Sequence, residues 1–238
     1  MSKVRLYIDH PLASGQVVPL HTDQAHYLSG VMRLAAGAEI EVFNGREGAW
    51  QAEITAAGKR GGELLIHDQT AIQRDPPDVW LLFAPIKKAR TDFIVEKAAE
   101  LGVARILPIQ TEFTNSERIR QDRLQAHAVE AAEQCGGTYV PEVGALTGLS
   151  RLLCSWDQDR HIIWADESLS GPVQALTGLE RGKWAVLIGP EGGFSSAERE
   201  MLRDLSYVHP VSLGPRILRA DTAAVAALTM FQAHLGDW

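Results

Sequence analysis

Only two cysteines occur in this chain, Cys135 and Cys154, with no CxxC and no histidine at metal-ligand spacing from either. A disulfide framework or a zinc site is therefore not expected, and a cytoplasmic setting is the default. Nothing approaches the roughly 18 consecutive apolar residues of a membrane-spanning helix. The first residues, MSKVRLYIDH, alternate apolar and polar types and lack the apolar core of a signal peptide. Excess positive charge is missing too. Twenty-three Lys and Arg against 30 Asp and Glu leave a net charge of −7, which argues against coating nucleic acid through bulk charge. Local basic clusters remain possible phosphate contacts: Lys87, Lys88 and Arg90; Arg118, Arg120 and Arg123; Arg216 and Arg219. Taken singly, each reads as a solvated face. GxSxG, HExxH, GxGxxG and GxxxxGK[ST] are all absent, and the eight histidines are scattered. No nucleophilic triad, metalloprotease helix or phosphate loop is visible, and no metal is expected.

What is present is an ordinary globular composition, 45% apolar and 22% charged over 238 residues, enough for two domains. Residues 4–8, 17–20, 39–43, 49–55 and 63–67 have strand length and partial alternation. Asn44-Gly45 marks a hairpin, because both residues tolerate positive φ. One helix is expected to start at Asp23 and to bury a stripe of Leu28, Val31 and Met32 before Gly37. Residues 1–72 thus read as a small β-barrel-like module. Pro76-Pro77 can neither continue a helix nor pair in a central strand, so the linker lies near 70–78. From residue 78 to 238 the rhythm changes. Apolar runs at 79–84, 105–109, 161–165, 184–188 and 207–213 alternate with helical patterns at 91–101, 123–135, 196–205 and 221–235. This is the signature of an α/β domain with a mostly parallel sheet, whose ligands bind in loops at the carboxyl ends of the strands.

Three such loops carry unusual residues. After the run ending at Ile188 comes Gly189-Pro190-Glu191-Gly192-Gly193-Phe194, and Ser195 with Glu198 forms a capping box for the following helix. The loop offers no lysine for phosphate, and Glu191 would repel one. Its glycines fit either a cramped turn or the approach of backbone groups to an uncharged ring. The segment VSLGPRILRADTAAVAAL places Arg216 and Arg219 around Ile217-Leu218, before an Ala-rich helix that Asp221 or Thr222 caps. Trp164-Ala165-Asp166-Glu167-Ser168 follows a third buried run and offers acidic groups to a cationic or hydroxyl-bearing ligand.

Together, IGPEGGFS at 188–195 and LGPRILRADTA at 213–223 resemble the RsmE family of SPOUT-class RNA methyltransferases. EKAAELGV, AAEQCGGTYVPEV and HYLSGVMRL extend the resemblance over nearly the whole chain. The sequence departs from the family pattern at Gly137, where an arginine is expected, and at Asp221, where many relatives carry glutamate. The resemblance implies a PUA-like β-barrel, a trefoil-knotted SPOUT domain, a homodimer and S-adenosylmethionine as methyl donor. The implied acceptor is N3 of a uridine in 16S ribosomal RNA or the small ribosomal subunit.

It further implies a donor pocket built from Ala165, Asp166 and Glu167; from Ile188, Gly189, Pro190, Glu191, Gly192 and Gly193; and from Leu213, Gly214, Ile217 and Leu218. Arg219 is the candidate to stabilise charge on the uracil, with Arg216 second and Asp221 as an orienting, basic or capping group. Arg5, Arg33, Lys87, Lys88 and Arg90 are the expected RNA contacts, along a cleft between barrel and knotted domain. Rival readings are a methyltransferase of another RNA, a nucleotide hydrolase using the glycine loop, and a non-enzymatic RNA-binding module.

Overall fold

The computed structural model describes residues 4–58, 61–116, 118–169, 176 and 178–238. They form two units, Met1–Asp75 with Ala132–Val140, and Pro76–Ala131 with Pro141–Trp238. Among the described residues no helix is long and apolar enough to cross a membrane.

In the first unit, alternating segments give β1 (Arg5–Tyr7), β2 (Val17–Leu20), β3 (Glu39–Phe43), β4 (Ala49–Ala57) and β5 (Gly62–Ala71). They pair in the order β1-β3-β4-β5-β2, antiparallel except for β1 with β3. One side of the alternation supplies the core: Val18, Ile40, Val42, Ile54, Leu64 and Ile66 are all buried together. Register shifts along β4 bend the sheet. No pairing of β1 with β2 closes it into a hydrogen-bonded barrel among the described residues.

Two local expectations change. The β3–β4 hairpin forms, but residues 44–48 make a longer loop in which Gly45 and Gly48 take φ of 80° and 76°. Asn44 instead turns its side chain back, its Oδ1 accepting from the N–H groups of Arg46 and Glu47 at 3.0 Å. The helix α1 (Thr22–His26) is capped by His21 and not by Asp23, and it continues as a π turn over Tyr27–Val31. The wider turn rotates the apolar stripe, so Leu28 is buried while Val31 and Met32 are exposed.

The second unit alternates strand and helix: β6 (Val79–Phe83), α2 (Lys88–Glu100), β7 (Arg105–Gln110), α3 (Gln121–Cys135), β8 (Glu142–Val143), β9 (Thr147–Gly148), α4 (Leu149–Cys154), β10 (His161–Ala165), β11 (Trp184–Ile188), α5 (Ser196–Arg203), β12 (Val208–Val211) and α6 (Ala220–His234). The sheet order is β12-β10-β11-β6-β7-β8, with β9 beside β7, and every pairing is parallel. Every residue of β11 is buried, which is why its sequence is an unbroken apolar run. Because the strands are parallel, the loops after β6, β7, β10, β11 and β12 leave the sheet at one edge, the edge where such folds bind ligands. The elements without a sequence expectation, β8, β9 and α4, are too short to show a period.

Candidate functional site at the carboxyl edge of the sheet

The loops following β10 and β12 enclose a pocket of about 70 Å³. One wall is Ala165, Asp166 and Glu167; the other is Leu213, Gly214, Arg216, Ile217 and Leu218, with Val211 and Ala223 completing an apolar lining. Gly214 takes a φ of 117°, open to glycine and strained for other residues, and its N–H donates to Ser212 Oγ at 3.2 Å. Ile217 is 84% exposed, a large apolar side chain at the mouth with nothing covering it.

The glycine loop meets this pocket through Gly193, which lies against the wall residue Glu167. Ile188, Gly189, Pro190, Glu191, Gly192 and Gly193 are all outside its walls. The loop is shaped by packing: a Cβ on Gly189 would lie 2.7 Å from the Phe194 ring. The capping box is present, with Ser195 Oγ accepting from Glu198 N–H at 3.3 Å and Glu198 Oε2 from Ser195 N–H at 2.9 Å. Gly193, at φ 69°, backs directly onto Glu167, whose Oε1 would clash with an added Cβ. Glu191 is exposed and has no hydrogen-bond or ion-pair partner among the described residues.

Asp166 and Glu167, on the pocket wall, are each paired with an arginine of α5. Arg199 of α5 donates Nη1 to Asp166 and Nη2 to Glu167, and its Nε donates to the Phe194 carbonyl at 3.0 Å. Arg203, one turn on, reaches Asp166 Oδ2 at 3.3 Å. Ser168 adds its N–H at 3.0 Å and its hydroxyl at 2.8 Å. Burial is the largest single influence on the Asp166 carboxyl and pushes it up. The Ser168 hydrogen bonds and the Arg199 guanidinium outweigh it and hold the group below the usual carboxylate range. The signal for this brace was present in sequence as Arg199 and Arg203 at i,i+4 on the helix after the capping box.

Arg216 and Arg219 are exposed, and their side chains have no hydrogen-bond or ion-pair partner among the described residues. Arg216 belongs to the pocket wall, and Arg219 is the N-cap residue of α6. That position corrects the capping role expected of Asp221, which lies inside the first turn. Its Oδ1 accepts from Thr222 N–H at 2.9 Å, and its Oδ2 accepts from Arg90 Nη1. Arg90 is thereby tied to the acidic residue next to the arginine loop, whereas Lys87 and Lys88 are exposed.

Arg33 is exposed in the first unit, with a φ of 56°. Arg5, the remaining expected RNA contact, is committed elsewhere. Its side chain is 12% exposed, bonds Glu41 at 2.6 Å, and donates to the carbonyls of Ala132 at 3.0 Å and Gly137 at 2.9 Å. It caps the carbonyl end of α3. Gly137 itself has room for a side chain, its nearest obstacle being Cys135 Sγ at 3.4 Å.

Comparison with known proteins bears on this edge. An RNA methyltransferase domain model matches residues 73–232, and an RNA methyltransferase PUA domain model matches 20–66. A ribosomal RNA small subunit methyltransferase E from Synechocystis sp. is 30% identical over 235 residues, covering 92% of this chain and 73% of that protein. The crystal structure of a ribosomal RNA small subunit methyltransferase E from Neisseria gonorrhoeae, bound to S-adenosyl methionine, superposes with a TM-score of 0.89 at 29% identity over 99% of both chains. A Legionella pneumophila protein solved with bound SAM gives a TM-score of 0.91 at 28% identity over 100% of both. With an α/β unit whose pocket is walled by the loop after β12, and a PUA domain before it, the chain belongs to the RsmE family of RNA methyltransferases.

Proposed function

We propose that this protein methylates N3 of a uridine in 16S ribosomal RNA of the small subunit, in the cytoplasm, using S-adenosylmethionine. The observation that carries the reading is the apolar pocket between the 165–167 and 211–218 loops, with the unpaired side chain of Arg216 on its wall and that of Arg219 next along the same segment. Its residues fit the donor. Val211, Leu213, Leu218 and Ala223 suit the flat apolar faces of an adenine, and Ile217 at the open mouth has its side chain free to cover what extends from it. Nothing on these walls has the lysine-and-hydroxyl chemistry of a phosphate site, and the donor has no phosphate.

When bound, the donor supplies an electrophilic methyl group on a sulfonium. The chain's own residues must do the rest. A uracil imide nitrogen becomes a nucleophile only as its N–H proton leaves, and negative charge then builds on the flanking carbonyl oxygens. Arg219 is fixed at the start of α6 with its guanidinium free, and it stabilises that charge. Arg216 positions the acceptor from the pocket wall. Asp221 acts as a positioning residue, because its carboxylate is occupied by Arg90 and Thr222. The Arg199 brace holds Asp166 and Glu167 as wall, and it fixes Gly193 behind them. Ile188 to Gly193 then support the donor loop from outside the pocket.

The same reading assigns residues 1–72 to RNA binding and 78–238 to catalysis, with the trefoil knot and the homodimer that the family resemblance implies. Titration calorimetry with S-adenosylmethionine, followed by mass spectrometry of nucleosides from undermethylated small subunits treated with the enzyme, tests it. One-to-one binding and appearance of N3-methyluridine are expected. Methylation at another position or on another RNA would move the assignment within the class, and failure to bind the donor would end it.

A further inference from the structure

A second cavity, of about 340 Å³, opens on the same edge of the sheet, between the loops that follow β6 and β7. Lys88, at the start of α2, lines it together with Arg118 and Arg120 from the segment leading into α3 and Arg123 in that helix's first turn. Two carboxylates offset part of this charge. Asp92 pairs with Arg123, and Asp122 pairs with Arg120 at 2.6 Å. Lys88 and Arg118 have no hydrogen-bond or ion-pair partner among the described residues, and both are exposed. Among the described residues, four cations against two carboxylates leave an excess of positive charge in a concave site, in a chain that is acidic as a whole. In sequence these residues belong to separate clusters, and the parallel order of β6 beside β7 brings them together.

We infer that this cleft is a phosphodiester subsite, in which Lys88 and Arg118 hold the backbone of the RNA strand beside the target nucleotide. The inference rests on the RNA methyltransferase reading above and adds a place for the strand. Concave basic walls attract an anion more strongly than the same charges on a flat face, because field lines are focused into the cleft. A guanidinium and an ammonium with no internal partner are available to phosphate oxygens without breaking an existing bond.

The cleft is also fixed relative to the donor pocket. Arg90, two residues after Lys88, pairs with Asp221, two residues after Arg219. A strand anchored at Lys88 and Arg118 is therefore registered against the arginine loop by an ion pair within the same unit. Backbone anchoring of this kind gives affinity and register without reading a base.

The test compares the full-length protein with K88A/R118A, which removes the two unpartnered cations and no internal bond. A fluorescently labelled oligoribonucleotide from small-subunit ribosomal RNA is titrated at several potassium chloride concentrations, with S-adenosylmethionine affinity measured in parallel. The variant is expected to bind RNA about tenfold or more weakly, with the slope of log affinity against log salt reduced by about 1.4 for the two lost phosphate contacts. KM for RNA rises, kcat and donor affinity stay within about twofold, and R118K keeps most of the affinity. RNA affinity and salt slope equal to the parent, with the donor still bound, would overturn the inference. So would a cleft that binds inorganic phosphate in the parent alone while RNA affinity is unchanged. Failure of the parent itself to bind the donor would defeat the functional reading first, and the subsite with it.

Discussion

Arg90, in the first turn of α2, donates from Nη1 to Oδ2 of Asp221, in the first turn of α6. The Asp221 side chain is 13% exposed and that of Arg90 38%, so the pair is partly screened by solvent. It fixes the start of α6, whose N-cap is Arg219. A double-mutant cycle on R90A and D221A should return a coupling of about 0.5–1 kcal/mol in unfolding free energy. D221N should lower kcat about tenfold and leave the donor dissociation constant unchanged, because what is lost is the placement of Arg219. A normal kcat in D221N would remove the positioning role.

Arg219 carries the chemical prediction. R219A is expected to lower kcat by about 10²–10³-fold with donor affinity spared, the range seen when one group that stabilises developing charge is deleted. Calorimetry and single-turnover methylation on the same preparation separate the two effects. Near-normal turnover would return the role to Arg216.

Gly193 is the point at which the glycine loop touches the pocket wall. Its φ of 69° costs a residue with a Cβ about 1–2 kcal/mol, and that Cβ meets Glu167 Oε1. G193V should displace Glu167 from Arg199 and weaken donor binding at least tenfold, with G193A intermediate. Calorimetry reads both, and unaltered affinity in G193V would show that the loop does not support the pocket.

For Arg5 the expected loss is stability. Deleting it leaves Glu41 with only the Thr70 hydroxyl and the carbonyls at the end of α3 uncapped, and it removes a guanidinium stacked 4.7 Å over Phe43. R5A should cost about 2–4 kcal/mol in urea unfolding, and R5K should recover little, since an ammonium cannot span Glu41 and separate carbonyls at once. If R5K instead folds normally and loses RNA affinity, Arg5 is an RNA contact after all.

His209 gives the protein a pH dependence. Burial first, and the neighbouring His161 second, hold its imidazole below the ordinary value of 6.5. The rings meet at 2.9 Å between His161 Nδ1 and His209 Nε2, one nitrogen donating and the other accepting. Below about pH 6.5 the unfolded chain takes up this proton more readily than the folded one, so stability falls as pH drops from 6.5 toward the depressed folded value. Urea midpoints at pH 7 and pH 5 should differ in that direction, and H209Q should flatten the difference. An identical slope in H209Q would assign the effect elsewhere.

Period and punctuation in the sequence determine the elements of this protein. The unbroken apolar run Trp184–Ile188 can only be a strand covered on both faces. Ser195 and Glu198 fix a helix start by local hydrogen bonds, and Asn44-Gly45 turns the chain. These are short-range effects, and the motifs that mark the family lie in them. Position was decided by tertiary structure. In the glycine loop, Gly193 is set against Glu167 and Gly189 against Phe194, and Arg199 claims both acidic residues. Arg5 looks like a phosphate contact until the end of α3 meets it, 127 residues away in sequence. Lys88 and Arg118 become neighbours only because β6 pairs with β7. A charged side chain carries no mark of whether its partner will be solvent, a carbonyl or a carboxylate. That is set by which segments the sheet order brings together, and no local pattern encodes it.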